Sequence, residues 1–91
     1  MEASIIAGRL VTGHVYFMAN RFQDAEVHFF ECHQTATKNG DMNKWWVVNF
    51  AYQCSKRLAD IYKRRNVLDD EQRYFLIAHD LLEKREKLKK D

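Results

Sequence analysis

Four histidines and two cysteines are the side chains of this 91-residue sequence that are best suited to chemistry. His28 and Cys32 lie four residues apart, so on a helix both would face the same side and could approach one metal ion. A zinc site needs three or four ligands, and no second pair of His or Cys residues at ligand spacing completes one. We therefore interpret Cys32 as a small buried residue, and we expect no metal ion and no cofactor.

The spacing of the other reactive residues does not indicate catalysis. Cys32 and His33 are adjacent, and on a helix their side chains would point about 100° apart, which prevents a nucleophile–base hydrogen bond. Gly8 and Gly13 fall inside a predicted helix, so they do not form a phosphate-binding loop. The acidic residues 69–71 open a predicted helix, where the helix dipole explains them. We expect no catalytic residues and no enzymatic activity.

The composition favours a globular domain of one piece. The chain has 15 basic and 13 acidic residues, a net charge of +2, which is too close to zero to indicate a nucleic-acid-binding protein. Its longest charge-free stretches have eleven residues, whereas a membrane-spanning helix needs about 20 apolar residues. No transmembrane segment and no secretory signal are predicted. Two cysteines do not form a disulfide framework, so we expect an intracellular protein of the cytoplasm or nucleus.

The elements that position these residues are predicted to be helices only. The chain has no proline and only three glycines, too few turn residues for a β-rich domain. The periodicity predicts helices over about residues 3–19, 22–38, 42–65 and 69–90 within a single domain, residues 1–91. The first two form hairpin 1 (about 3–38) and the last two hairpin 2 (about 42–90). Apolar residues follow two seams of the third helix, which is therefore predicted to be central.

Two local features complete this prediction. Asn39 and Gly40 mark the break between the hairpins, because both residues tolerate a positive φ. The final turns of the fourth helix are expected to project into solvent, since Leu88 is their only apolar residue.

A repeat with an offset of 46 residues relates the two hairpins. The shared spacing joins Gly13, Tyr16, Asn20, Phe22, Ala25 and Phe29 in the first hairpin to Ala59, Tyr62, Asn66, Leu68, Glu71 and Phe75 in the second. A small residue in each hairpin would let its two helices approach. The core is therefore predicted to contain Tyr16, Ala25 and Phe29 in hairpin 1, and Tyr62, Phe75 and Ala78 in hairpin 2.

This pattern resembles the tetratricopeptide repeat in its long-helix variants. Arg9 and Ser55 stand where that family has Trp, the closing Pro is missing, and the offset is 46 residues instead of about 34. The resemblance implies an all-α fold of two antiparallel helix hairpins stacked as a right-handed array. A second resemblance, of residues 20–25 and the helices that follow, is to the three-helix microtubule-interacting-and-trafficking domain, which has no place for the fourth helix.

The function expected from this resemblance is protein–protein interaction. The chain would act as an adaptor or scaffold subunit of a complex and hold a helix or peptide, from another protein or a second copy, in the groove lined by the first helix of each hairpin. Partner binding is assigned to residues on these two helices, including both tryptophans, which are enriched at interaction hot spots: Arg9, Trp45, Trp46, Asn49, Lys56, Lys63 and Arg64. The alternative is an adaptor that binds nucleic acid or an anionic membrane surface through the Lys and Arg residues of segments 63–65 and 84–90.

Overall fold

The computed structural model describes residues 3–88, with side chains from residue 4 onward, and it confirms the all-α fold class. Four helices follow one another along the chain: α1 (Ala3–Met18), α2 (Phe22–Asn39), α3 (Trp45–Arg64) and α4 (Leu68–Lys87). Within these residues there is no strand. The start of α3 comes three residues later than predicted, because the Asp41 carboxylate accepts a hydrogen bond from the Asn43 amide at 3.0 Å and holds a turn there. The predicted last turn, residues 88–90, falls mostly outside the described residues.

Both hairpins turn through the same backbone motif. Asn20 and Asn66 are the two non-glycine residues of the described chain with a positive φ, at 61° and 60°. In the first turn the Arg21 amide donates to the Tyr16 carbonyl at 2.9 Å, and in the second the Val67 amide donates to the Tyr62 carbonyl at 2.9 Å. This is the Schellman arrangement, in which one left-handed residue ends a helix, and asparagine adopts that conformation more easily than most residues. The two turns are 46 residues apart, which is the offset of the sequence repeat.

The break between the hairpins ends α2 in a different way from the one predicted. Gly40 has a φ of −83° and a ψ of 158°, so it is extended and does not use a positive φ. Glycine is required there for space instead, since a Cβ atom on Gly40 would lie 2.5 Å from the Ala36 carbonyl oxygen and 2.6 Å from Val47 Cγ1. The close approach of Val47 lets α3 begin directly against the end of α2.

Hairpin 1 closes around a contact between a glycine and an aromatic ring. Phe29 is fully buried, and a Cβ atom on Gly13 would lie only 2.8 Å from its Cε1 atom. The predicted apolar faces of α1 and α2 are confirmed, since Ile6, Phe17 and Ala25 are buried with Phe29. Fully burying one such side chain contributes roughly 1.5–3 kcal/mol, so this face is the main source of stability in the first hairpin.

Helix α3 is the central element, as predicted. It packs against α2 and α4 and touches α1, while α4 packs chiefly against α3. One seam of α3 is fully buried and consists of Val47, Ala51, Cys54, Leu58 and Ile61. This seam covers the inner face of hairpin 1, where the guanidinium carbon of Arg57 lies 4.9 Å from the ring centroid of Phe17. The second seam of α3 includes Tyr52 and Tyr62 and packs against α4, where it contacts Arg85 and Tyr74.

The core prediction for hairpin 2 is wrong at one position. Phe75 is 63% exposed, and the neighbouring Tyr74 is buried in its place. The Tyr74 ring packs at 5.7 Å from Tyr62 and 5.8 Å from His33, between α3 and α2. Phe75 stays outside because none of the helices in the described structure lies over that side of α4. The predicted burial of Ala78 is confirmed.

The end of α4 packs against the core, so the prediction that its final turns project into solvent is wrong. Leu88 is half-buried and packs against the core. The Arg85 guanidinium lies 4.9 Å from the Tyr52 ring centroid and donates a hydrogen bond to Asn49 Oδ1 at 2.8 Å. The apolar stem of Arg85 and its planar head together fasten the end of α4 to the start of α3.

Candidate functional site

An apolar groove runs between α3 and α4 on the side away from hairpin 1. Its volume is about 390 Å³, and it is lined by Tyr52, Lys56, Ala59, Asp60, Lys63, Glu71, Phe75, Ala78, His79 and Leu82. Phe75 forms one wall and is the most exposed large aromatic side chain described. The small residues Ala59 and Ala78 form the floor, because they let the two helices approach closely.

Helical spacing produces this groove. On α4, Leu68, Glu71, Phe75, Ala78 and Leu82 follow one another at steps of three and four, so they share one face. On α3, Tyr52, Lys56, Ala59 and Lys63 follow the same steps. The result is a central apolar strip with charged residues beside it, a form suited to the apolar face of an amphipathic helix.

The charges beside the strip have both signs. Lys56 and Lys63 come from α3, and Glu71 from α4. The Asp60 carboxylate lies 3.5 Å from the Arg64 guanidinium, and the Lys56 ammonium lies 6.0 Å from the Tyr52 ring centroid. Exposed charges of this kind generally add little to the affinity of an interface and more to its specificity.

The groove is the counterpart of the face of hairpin 1 that α3 covers. Moving each lining residue back by 46 positions gives Ile6, Leu10, Gly13, His14, Phe17, Ala25, Phe29, Cys32, His33 and Ala36. Eight of these ten residues are buried, the exceptions being Leu10 and His14. The same surface is therefore packed core in one hairpin and an open groove in the other.

The seven residues assigned to partner binding are distributed over several surfaces. Lys56 and Lys63 both lie at the α3–α4 groove. Arg9 lies on the far side, where its guanidinium pairs with the Glu31 carboxylate at 2.9 Å. The Arg64 guanidinium packs over the rings of Phe17 and Phe22, at 5.4 and 5.3 Å from their centroids.

The remaining three assigned residues are near the start of α3. Trp46 is half-buried against the core and contacts Phe50 edge-on, with 6.0 Å between ring centroids. Trp45 and Asn49 meet through Arg85, whose guanidinium lies 5.8 Å from the Trp45 ring centroid and donates to the Asn49 amide oxygen. These contacts give the three residues packing roles within the chain.

A shallow depression of about 320 Å³ lies between α1 and α3, where the sequence places a binding groove, and it is lined by Leu10, Val11, His14, Val15, Phe29, Gln53 and Arg57. None of the seven assigned residues lines it. The α4 side of the larger groove, with Phe75 and Leu82, was missed by sequence reasoning. The signal was present in the repeat, because Phe75 and Leu82 correspond to the buried Phe29 and Ala36 of hairpin 1, and none of the described helices lies over the equivalent side of α4.

The two cysteines are buried and contact each other. Burial raises the pKa of the Cys54 thiol, and its hydrogen bond with Cys32 acts in the same direction. Cys32 is fully buried beside the Ile6 carbonyl, whereas His28 stacks on Tyr16 with 5.4 Å between ring centroids. A protonated, buried thiol is a poor nucleophile and a poor metal ligand.

His33 is buried, and its ring packs edge-on against Tyr74 of α4. Neither ring nitrogen has a hydrogen-bond partner among the described residues, and burial lowers its pKa. Over the described residues no group of three or more His, Cys, Asp or Glu side chains is placed to hold a metal ion.

Two further findings bear on classification. No helix between residues 3 and 88 is long and apolar enough to cross a membrane. Comparison with known proteins gives no match, whether to protein-family models, to curated proteins or to solved structures.

Proposed function

We propose that this chain is a non-catalytic protein–protein interaction module that binds an amphipathic helix of a partner in the α3–α4 groove. The observation that carries the proposal is the exposure of Phe75, which is 63% accessible although its counterpart Phe29 is fully buried. A large aromatic side chain beside small residues and aliphatic neighbours is the composition of a binding hot spot. Contiguous exposed apolar surface of this kind marks interaction sites on soluble domains.

The shape of the groove favours a helix as the bound element. The equivalent face of hairpin 1, offset by 46 residues in the sequence, packs against helix α3. The side chains of α3 and α4 form two ridges, and alanines lie between them. Such a groove accepts the side chains at positions i, i+3, i+4 and i+7 of an incoming helix. The alternation of Lys56 and Lys63 with Asp60 and Glu71 favours a partner helix that carries both charge signs.

The alternative function is an adaptor for nucleic acid or an anionic membrane. It has less support because several of its basic residues are engaged within the chain. The Arg65 guanidinium pairs with Glu26, Arg64 with Asp60, and Arg85 with Asn49 and Glu86. A basic side chain that is already paired within the chain gains less binding free energy from a phosphate.

Photo-crosslinking from the groove tests the proposal. A benzophenone amino acid replaces Phe75 in the full chain, and the matched control carries it at Leu76, which is 55% exposed on another face of α4. We expect the Phe75 probe to capture a protein segment with apolar residues at helical spacing, and the Leu76 probe not to capture it. Equal capture by both probes, or capture of nucleic acid or lipid by the Phe75 probe, would contradict the proposal.

A further inference from the structure

A second apolar surface lies at the opposite end of the molecule, on the outer face of α1. Ile5, Val11, Val15 and Met18 are 54%, 61%, 62% and 69% exposed. They follow helical spacing, and Gly8 and Thr12 complete the same exposed side of the helix. Four of the nine large apolar side chains that are markedly exposed in the described structure thus lie along α1.

This α1 face corresponds to the buried seam of α3. Adding 46 converts Ile5 to Ala51, Gly8 to Cys54, Thr12 to Leu58 and Val15 to Ile61. All four α3 residues are fully buried, because α3 lies in the face of hairpin 1. Hairpin 2 docks on hairpin 1 through this seam of α3. The exposed α1 face is therefore the equivalent surface of hairpin 1.

We propose that α1 of a second copy of this chain docks in the α3–α4 groove, head to tail, and repeats the packing that already joins hairpin 2 to hairpin 1. This inference rests on the proposed function of the groove and names its occupant. Each copy has one groove and one free α1 face, and the two lie at opposite ends of the helix array. The interface continues the packing relation that is already present inside the chain.

The residues that would meet across this interface are compatible in chemistry. Inside the chain, Arg57 and Arg64 pack over Phe17. With the offset of 46 residues, Arg57 and Arg64 correspond to Val11 and Met18, and Phe17 corresponds to Lys63. In the proposed contact, Val11 and Met18 of one copy would therefore lie along the apolar stem of Lys63 of the other. Arg64 also packs over Phe22, and the counterparts there are Met18 and Leu68, which are 69% and 70% exposed. Both would become covered.

Charged residues in the groove make this contact weaker than the internal one. Glu71 stands where hairpin 1 has Ala25, and Lys63 where it has Phe17. We therefore expect reversible association that depends on concentration. Because the two surfaces differ, the contact is heterologous, and repetition extends the assembly without closing it after two copies.

Sedimentation velocity over a range of concentrations tests the proposal with three variants of the full chain. Phe75→Glu places a charge in the groove, Val15→Glu places one on the α1 face, and Leu76→Glu is the control at a comparably exposed position outside both surfaces. Circular dichroism checks that each variant remains helical. We expect the sedimentation coefficient of the wild type and of Leu76→Glu to rise with concentration, and the other two variants to lose this rise.

Mixing the two impaired variants separates head-to-tail docking from a symmetric dimer. The Val15→Glu chain retains an intact groove and the Phe75→Glu chain retains an intact α1 face, so an equimolar mixture should form a dimer that does not extend. Absence of the dimer in the mixture, or a wild-type chain that stays monomeric at every concentration, would overturn the proposal. If the wild type is monomeric while the Phe75 probe still captures a helix of another protein, the second-copy inference fails and the proposed function stands. If that probe captures no protein either, both fail.

Discussion

Tyr62 on α3 donates a hydrogen bond from its hydroxyl to the Glu26 carboxylate on α2, across the boundary between the two hairpins, with 2.5 Å between the oxygens. The same carboxylate pairs with the Arg65 guanidinium through its other oxygen. Burial raises the pKa of the Tyr62 hydroxyl, and the hydrogen bond to Glu26 raises it further, so Tyr62 stays protonated and acts as the donor. A partly buried charge-assisted bond of this kind fixes the orientation of one hairpin against the other.

Removing this hydroxyl should destabilise the chain measurably. We expect Tyr62→Phe to lower the free energy of unfolding by about 1–2 kcal/mol, because hydrogen bonds to charged groups contribute more than neutral ones. Urea melts measure the change. In a Glu26→Gln background the same substitution should cost clearly less, and equal costs in both backgrounds would show that the two side chains are not coupled.

The two equivalent phenylalanines should differ sharply in their effect on stability. Phe29→Ala should cost about 3–5 kcal/mol, since it removes a fully buried ring and leaves a cavity beside Gly13. Phe75→Ala should cost about 0.5 kcal/mol in the monomer, because its ring is mostly in solvent. Urea melts at low protein concentration compare the variants, and similar losses at both positions would contradict the described structure.

The difference between Phe29 and Phe75 shows what sequence patterns can and cannot predict here. Periodicity predicts the four helices and the apolar faces, and the repeat correctly pairs the turns at Asn20 and Asn66. A pattern reports that a face is apolar, but it does not report whether another helix covers that face. Burial of Phe75 was therefore predicted from symmetry, although the array has no further helix beyond α4 among the described residues.

For a related reason the role of Gly40 was misjudged and the burial of His33 was not predicted. The role of Gly40 depends on the approach of Val47 from the next helix, and the burial of His33 depends on Tyr74 from α4. Both are tertiary contacts that local sequence does not encode. Of the residues that line the candidate groove, Lys56 and Lys63 were assigned to partner binding from the sequence and those of its α4 wall were not.

Acid should destabilise the chain through His33. Because burial lowers the pKa of His33 in the folded state, the unfolded chain takes up the proton first. No stability is lost to this residue above the unfolded pKa of about 6.5, and the loss grows as the pH falls below it. His33→Phe should remove this part of the pH dependence in urea melts between about pH 7.5 and pH 5.

A matched substitution controls for the other histidines. His14→Phe changes an exposed histidine of α1. This variant should still lose unfolding free energy as the pH falls, as the wild type does. At neutral pH, His33→Phe should not cost stability beyond the strain of the larger ring, because the substitution removes no hydrogen bond between His33 and another described residue. If His33→Phe leaves the pH dependence of the free energy of unfolding unchanged, His33 is not the cause of the destabilisation by acid.

The last described turn should contribute to stability through one residue. We expect Leu88→Ala to lower the free energy of unfolding by about 1 kcal/mol, because Leu88 is half-buried against the core. The neighbouring Lys87 is exposed, so Lys87→Ala should change stability by less than about 0.5 kcal/mol. Thermal melts compare the two, and equal, negligible effects would mean that the end of α4 is not docked in solution.

The sequential packing of the helices has a consequence for how fast the chain folds. Each helix contacts chiefly the helix that precedes or follows it, with α3 against α2 and α4, so most contacts join residues that are near one another along the chain. Topologies with such low contact order fold in roughly microseconds to milliseconds. Because α3 belongs to the core of both hairpins, relaxation after a temperature jump should show one fast exponential phase common to the two hairpins. Two well-separated phases, one for each hairpin, would show instead that α3 joins them late.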